Sequence, residues 1–142
     1  EYIRPHRELR SLLLSLPQHR WLFTNADDAH ARRVTKILGV TDCFEGIVDI
    51  RALRFNCKPV VEAYQIALTQ VGESDPQRCV LLDDSPRNLA PARKMGFFTV
   101  LVGQSGADPA ANVSIASLAD LPAAAPEPVG EGRRQRGGGW AG

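Results

Sequence analysis

The stretch Cys79–Gly103, CVLLDDSPRNLAPARKMGFFTVLVG, decides the fold. An apolar run ends in the adjacent carboxylates Asp83 and Asp84, a polar segment follows, and a second apolar run ends in glycine. Pro86 and Gly96 bracket the polar segment, and proline favours the first helical position while glycine favours the position after the last. The stretch therefore predicts strand, helix and strand. Because two like charges at the end of a buried strand repel each other, it also predicts a cation or hydrogen-bond donors beside them.

The same alternation extends towards the N-terminus. Trp21–Asn25 and Gly46–Ile50 are short apolar runs typical of buried strands, while Asp28–Leu38 and Val60–Val71 carry apolar residues at helical spacing. Strands that alternate with helices predict an α/β fold, a doubly wound parallel sheet with helices on both faces.

The chain ends in a segment of different composition. Residues 17–121 contain the predicted strands and helices, whereas residues 122–142 are mostly proline, alanine, glycine and arginine. Such a segment has almost nothing to bury, so we expect residues 122–142 to be a disordered tail, with its basic run Gly132–Arg136 solvated.

Composition excludes several classes of function. With 17 basic and 16 acidic residues the net charge is +1, which gives no reason to expect specific nucleic-acid binding. No apolar run approaches the about 18 residues of a membrane span, so no membrane is expected as a partner. Cys43, Cys57 and Cys79 have neither disulfide nor zinc spacing, which favours a reducing, cytoplasmic compartment.

Polar residues follow two of the predicted strands, and a lysine precedes the predicted helix Val60–Val71. We expect all of them at one edge of the sheet. Ligand-binding groups of an open parallel sheet gather outside the carboxyl ends of its strands, where we place Thr24, Asn25, Lys58, Asp83 and Asp84. Two carboxylates suit Mg²⁺, the Thr24 hydroxyl and nearby N–H groups suit phosphoryl oxygens, and the Lys58 ammonium offsets negative charge in a transition state. A small phosphorylated metabolite is the expected ligand.

Two residues that follow the carboxylate pair, Ser85 and Asn88, are expected to begin the next helix and to help position the carboxylates. Ser85 is the expected N-cap of the following helix, and Asn88 lies in its first turn with a supporting role at the site. Pro91 removes a helical hydrogen bond at a cost of about 3 kcal/mol, which predicts a kink or a later helix start. In the simpler alternative one aspartate caps the helix, the other is solvated, and Lys58 and Thr24 are ordinary loop residues.

Taken in order, the motifs FTNAD, CKP and LLDDSPRN followed by TVLVG resemble the haloacid dehalogenase superfamily of phosphatases, and in particular its pyrimidine 5'-nucleotidase-like branch. The resemblance covers about residues 2–103. It implies a Rossmann-like core and Mg²⁺-dependent hydrolysis of a nucleoside monophosphate through an aspartyl-phosphate. It also implies that Thr24 fills the second motif, Lys58 the third, and Asp83 with Asp84 the fourth.

One family motif is absent from the sequence. The first motif, D-x-D-x-T, supplies the nucleophile and general acid, and no such pattern occurs here. The resemblance therefore implies that residues 1–16 are the end of a cap domain's return segment, that most of the cap is lacking, and that the core is incomplete at its central first strand. The strands ending at Asn25 and Asp83 must then pair directly, leave a gap or wait for a partner chain. We expect marginal stability and no phosphatase activity.

Two other classes of function stay open. A non-catalytic remnant or binding module of the same fold needs no nucleophile. Response-regulator receivers also combine carboxylates, a hydroxyl and Lys-Pro, but in the order carboxylates first, which is opposite to the order here. The sequence predicts neither the substrate's identity nor the oligomeric state.

Overall fold

The computed structural model describes residues 7–104, 106–117, 120–121 and 136–140. These residues form helices α1 (Arg7–Ser15), α2 (Asp28–Leu38), α3 (Val61–Val71) and α4 (Pro86–Met95), and strands β1 (His19–Phe23), β2 (Gly46–Val48), β3 (Val80–Asp83), β4 (Phe98–Val102), β5 (Val113–Ile115) and β6 (Arg136–Trp140). No helix among the described residues is both long and apolar enough to cross a membrane.

The six strands form one parallel sheet in the order β2-β1-β6-β3-β4-β5. The prediction of an α/β fold with a parallel sheet is confirmed. Helices connect β1 to β2, β2 to β3 and β3 to β4, as parallel pairing requires. All parallel strands end at the same edge, so the loops after β1 and β3 lie at one edge of the sheet.

Local signals set the helix ends. The Asp27 side chain accepts a hydrogen bond from the His30 N–H and so caps α2. Gly39 and Gly72 end α2 and α3 in the left-handed conformation, both at a φ of 75°, which glycine adopts without steric cost.

The core has two faces because alternate residues of a strand point to opposite sides of the sheet. Helices α3 and α4 cover one face, whose buried residues include Phe23, Ala63, Tyr64, Leu81, Leu89 and Leu101. The opposite face holds Val80, Leu82, Val100, Ile115 and Leu121. Helix α2 packs against β1 on that side, and α1 packs Leu9 and Leu13 on Val40 and Cys43.

The C-terminal strand β6 corrects the prediction for the end of the chain. We expected residues 122–142 to be disordered, and this is wrong for Arg136–Trp140, which pair with β1 on one side and with β3 on the other. The rest of that tail, residues 122–135 and 141–142, lies outside the described residues. The flanking strands offer rows of N–H and C=O groups that any extended segment can satisfy, and glycine brings no side chain that would obstruct it.

The position expected to be vacant is therefore filled by the chain itself. Direct pairing, a gap and a partner chain were the three outcomes expected for β1 and β3, and the structure has none of these. A short segment remote in sequence takes the central place instead.

Helix α4 begins at Pro86 with Ser85 before it, as the sequence predicts. It runs through Pro91 to Met95, so of the two outcomes expected for Pro91, a kink or a later start, the later start does not occur. Ser85 occupies the N-cap position, but its side chain makes no capping hydrogen bond. Its carbonyl oxygen accepts from the Asn88 and Leu89 N–H groups, which closes the first turn without the hydroxyl.

Candidate active site

A buried ion pair lies at the carboxyl edge of the sheet. The Lys58 Nζ donates to Asp83 Oδ2 at 3.2 Å and to the Phe23 carbonyl oxygen at 3.1 Å. The two charged side chains are 1% and 0% exposed. The ammonium also lies 4.6 Å from the centroid of the Phe23 ring, within the range of a cation–π contact. Lys58 therefore joins the ends of β1 and β3, which are separated in the sheet by β6.

Asp83 is held by three donors. Besides the lysine, the Ser85 N–H donates to Oδ1 at 2.9 Å and the Asn88 Nδ2 donates to Oδ2 at 3.3 Å. The turn from β3 into α4 brings both donors back towards the strand end. A fully buried carboxylate needs such partners, because an unpaired charge in the interior costs several kcal/mol.

Burial dominates the titration of this pair. It lowers the pKa of the Lys58 ammonium, and the nearby carboxylates of Asp83 and Asp84 oppose that shift. Burial also raises the pKa of the Asp83 carboxyl, opposed by the Lys58 charge and by the Ser85 N–H. Burial therefore disfavours the charged form of both groups, and each charge stabilises the other.

Asn25 ties two loops together. Its Oδ1 accepts from the Lys58 N–H at 2.9 Å, and its Nδ2 donates to the Lys58 carbonyl oxygen at 3.4 Å. The side chain therefore fixes the backbone that carries the lysine. Asn25 lies at the strand ends where the sequence places it among the candidate catalytic residues, and its amide makes this positioning contact.

Thr24 is buried at the end of β1, with 5% of its surface exposed. Its Oγ1 accepts from the Ala26 N–H at 3.0 Å, which tightens the turn after the strand. That bond uses the hydroxyl oxygen as an acceptor and leaves its hydrogen able to donate.

Asp84 differs from its neighbour in being exposed. The charge of Asp84 raises the pKa of Lys58, and its carboxyl raises the pKa of Asp83. The three groups therefore share one site. Mg²⁺ commonly takes one or two carboxylates and fills its other positions with water and substrate oxygens. Asp84 with Asp83 fits that pattern. In the part of the chain that the structure describes, no group of three His, Cys, Asp or Glu residues lies close enough to form a metal cluster.

Two contributors were missed by the sequence analysis. The Tyr64 hydroxyl donates to the Asn88 carbonyl oxygen, while its ring packs edge-on against Phe23 and Phe97. Asp49 accepts from the N–H groups of Asp28 and Ala52 and so braces the loop after β2. Tyr64 lies in the apolar stripe of α3, and a buried tyrosine hydroxyl needs a partner, which was the available signal.

A parallel α/β fold with a lysine, a threonine and two aspartates at the carboxyl edge of its sheet is an arrangement found in hydrolases. The family model described as haloacid dehalogenase-like hydrolase matches residues 2–96. The chain belongs to this family.

One relative of known sequence and two solved structures are similar to this chain. Phosphate metabolism protein 8 of Saccharomyces cerevisiae is 34% identical over 113 residues, which cover 71% of this chain and 35% of the yeast protein. The L-2-haloacid dehalogenase of Xanthobacter autotrophicus, solved with chloropropionic acid covalently bound, superposes with a TM-score of 0.72 at 17% identity, over 84% of this chain and 60% of that one.

A third similar structure is the HAD-hydrolase YfnB of Bacillus subtilis bound to magnesium, with a TM-score of 0.68 at 17% identity. The match covers 78% of this chain and 51% of that protein. At such identities the two solved structures show a common fold. The chain spans about a third of the length of the yeast relative it matches.

Proposed function

We propose that this chain contributes the phosphate- and metal-binding half of a Mg²⁺-dependent phosphomonoester hydrolase. The observation that carries the proposal is the buried Lys58–Asp83 pair, held at the strand ends beside Thr24 and Asp84. A cation kept out of water at a fixed position stabilises developing negative charge without reorganising. The name of the yeast relative, a phosphate metabolism protein, supports a phosphorylated substrate.

Each residue has a separate task in this proposal. The Thr24 hydroxyl donates to a non-bridging phosphoryl oxygen, and the Lys58 ammonium balances the charge of the transferring group. Asn25 and Asn88 hold Lys58 and Asp83 in place through the hydrogen bonds described above. Asp84 and Asp83 would hold Mg²⁺, which when bound neutralises phosphoryl charge and orients the group for attack.

The attacking carboxylate is not in this sequence. No D-x-D-x-T motif occurs in its 142 residues, so the aspartyl-phosphate step requires a nucleophile from residues outside it. We therefore propose that the chain binds Mg²⁺ but does not turn over substrate. A nucleoside monophosphate handled in the cytoplasm is the proposed substrate of a polypeptide that includes both halves.

Magnesium titration by NMR or calorimetry tests the metal site directly. We expect saturable Mg²⁺ binding by the chain, weakened about tenfold or more in Asp84→Asn because one of two carboxylate ligands is lost. Asp42→Asn is the matched control, since Asp42 is an exposed carboxylate that precedes β2, at the amino edge of the sheet. Equal Mg²⁺ affinity in the two variants would contradict the assignment of Asp84.

Release of inorganic phosphate from nucleoside monophosphates tests the catalytic half of the proposal. We expect no release above background from this chain with Mg²⁺ present. Hydrolysis that needs Mg²⁺ and disappears in Lys58→Ala would show that a nucleophile lies within these residues and would overturn the proposed division of the site.

A further inference from the structure

Exposed apolar side chains are concentrated around Lys58. Among the described residues, the large hydrophobic side chains that are exposed are Leu14, Ile37, Phe55, Val60 and Val61. The last three of these lie within three residues of the lysine along the chain, and Phe55 is the most exposed, at 72%. Single exposed apolar side chains are ordinary, whereas a group of them beside a buried cation indicates contact with a ligand.

The loop between β2 and α3, which carries Phe55, is bonded to the turn that carries Thr24. The Phe55 N–H donates to the Ile50 carbonyl oxygen at 2.9 Å, and the Ile50 N–H donates to the Ala26 carbonyl oxygen at 3.0 Å. The Ala26 N–H in turn donates to the Thr24 hydroxyl. A short series of hydrogen bonds therefore leads from the backbone of Phe55 to Thr24, so both residues lie at the same part of the carboxyl edge.

The same loop is held in shape by contacts of its own. Leu53, at its middle, is fully buried in the core below. The Leu53 N–H donates to the Asp49 carbonyl oxygen, and the Asn56 N–H donates to the Leu53 carbonyl oxygen. The Asp49 carboxylate also accepts from the Ala52 N–H at 2.8 Å. Residues 49–56 therefore form a compact turn, from which Phe55 extends into solvent.

The backbone at Phe55 is in a conformation that phenylalanine disfavours. Arg54 and Phe55 both have positive φ, 53° and 63°, in the left-handed region where a Cβ approaches the backbone too closely. Glycine at position 55 would form the same turn without that cost. Because the ring of Phe55 is mostly exposed, its packing does not offset the cost. The fold alone therefore does not account for an aromatic residue here, whereas a ligand that covers the ring would.

The charges of this loop indicate what kind of ligand that is. Arg51 and Arg54 are exposed in it, and the buried Lys58 lies at its end. Guanidinium groups attract phosphate oxygens and also stack on flat rings. Cations beside an exposed aromatic ring thus complement a ligand that has both a phosphate and a planar base. A phosphate ester of an aliphatic alcohol would pair with the cations but would leave the ring uncovered.

We propose that Phe55 stacks on the base of a nucleotide whose phosphate is bound by Thr24 and Lys58. This inference rests on the proposed function, and it adds a base-binding residue to the half of the site that this chain supplies. Because every base has a π face, stacking on Phe55 accepts purines and pyrimidines alike. Phe55 therefore selects nucleotides as a class over other phosphomonoesters.

NMR titration of the full chain with Mg²⁺ present tests the proposal with adenosine 5'-monophosphate, ribose 5-phosphate and adenosine as ligands. We expect Phe55→Ala to weaken binding of the nucleotide by about tenfold and to leave binding of ribose 5-phosphate unchanged. Phe55→Trp keeps a stacking surface and should bind the nucleotide at least as tightly as the wild-type chain. Uridine 5'-monophosphate should give the same pattern as the adenine nucleotide.

Ile37→Ala is the matched control for Phe55→Ala. It also removes an exposed apolar side chain, but Ile37 lies near the end of α2, which runs back from the carboxyl edge. We expect the Ile37 variant to bind all three ligands as the wild-type chain does. Equal loss of nucleotide affinity in the two variants would overturn the proposal.

Phe55→Gly separates recognition of the base from folding. Glycine removes the cost of the left-handed conformation, so this variant should unfold at a higher urea concentration than the wild-type chain. It should lose nucleotide affinity to the same extent as Phe55→Ala. Unfolding at a lower urea concentration would show that the ring stabilises the loop, and the proposal would then be wrong.

The three ligands distinguish failure of this inference from failure of the proposed function. If the nucleotide binds no more tightly than ribose 5-phosphate, or if Phe55→Ala weakens both equally, Phe55 does not contact the base, and only this inference is wrong. If adenosine binds as tightly as its monophosphate and Phe55→Ala weakens both, the base contact stands and the proposed phosphate site is wrong. Self-association of the chain that buries Phe55 would assign the ring to a second copy and overturn the inference.

Discussion

Strands β1 and β6 lie side by side in the sheet but are held there differently. β1 buries Leu22 and Phe23 on opposite faces and carries Thr24 into the site, so its place is fixed by packing and by function. β6 places three glycines between two apolar strands, and its backbone pairs with both of them. The comparison teaches that pairing the backbone of a sheet and filling a core are separate requirements, because a glycine can meet the first without a side chain to meet the second.

The buried pair that bridges β1 and β3 gives the largest expected effect. Lys58→Met leaves the Asp83 carboxylate buried without its cation and should lower the free energy of unfolding by about 3 to 5 kcal/mol. Urea denaturation measures the change. Lys36→Met, which alters an exposed lysine of α2, should stay within about 0.5 kcal/mol of wild type.

A double variant separates charge from packing at the same position. Lys58→Met with Asp83→Leu removes both charges, so it should recover most of the stability that the single variant loses. If Lys58→Met alone unfolds at the wild-type urea concentration, the bridge does not hold the flanking strands, and the contrast with β6 weakens.

The contact between Gly46 and Trp21 gives the next effect. Gly46→Ala forces a methyl group into the indole ring and should cost about 2 kcal/mol, as overpacking of a core usually does. Thermal unfolding followed by circular dichroism measures it. Gly106→Ala is the control, because a Cβ there meets no atom within 4 Å. A neutral Gly46→Ala would mean that the indole of Trp21 can move aside to admit the methyl group.

The loss of stability at alkaline pH tests how tightly the chain is packed at Cys79, the residue before β3. Burial raises the pKa of the Cys79 thiol to about 12, above its ordinary value of 9.0. Its contribution to stability is therefore complete below pH 9 and is lost as the pH rises towards 12, since the unfolded chain releases the proton first. Between pH 9 and pH 10.5 the wild-type chain should lose about 2 kcal/mol more than Cys79→Ala.

The measurement is a series of urea denaturations across that pH range. Cys57→Ala removes an exposed thiol and serves as the control. Parallel pH curves for the wild-type chain and Cys79→Ala would indicate that water reaches the thiol and that the chain is loosely packed where β3 begins.

The smallest expected effect has the opposite sign. Gly139→Ala should raise the free energy of unfolding by about 1 kcal/mol, because alanine restricts the unfolded chain more than glycine does and adds a methyl group level with Trp21 and Leu81. Urea denaturation of this variant beside Gly138→Ala measures it. A loss of stability in Gly139→Ala alone would mean that the position is already filled, and the two strands would then not differ.

Sequence could predict those parts of the molecule whose signals are local. The apolar run before Asp83 predicted β3, and Pro86 and Gly96 predicted the two ends of α4. The parallel topology then placed the strand ends at one edge of the sheet. The partner of the Asn25 side chain could not be predicted, because it depends on a loop 33 residues away along the chain. β6 was missed for a similar reason. Nothing in RGGGW favours a strand, and its place is set by two open edges remote in sequence.

The position of β6 also bears on how the protein is made. It is the last of the six strands in the chain, yet it lies third in the sheet. During synthesis the two halves of the sheet therefore emerge first, and the hydrogen bonds that join them cannot form until residue 140 has left the ribosome. From the completion of β3 until then, the nascent chain presents the unpaired edges of β1 and β3 to chaperones.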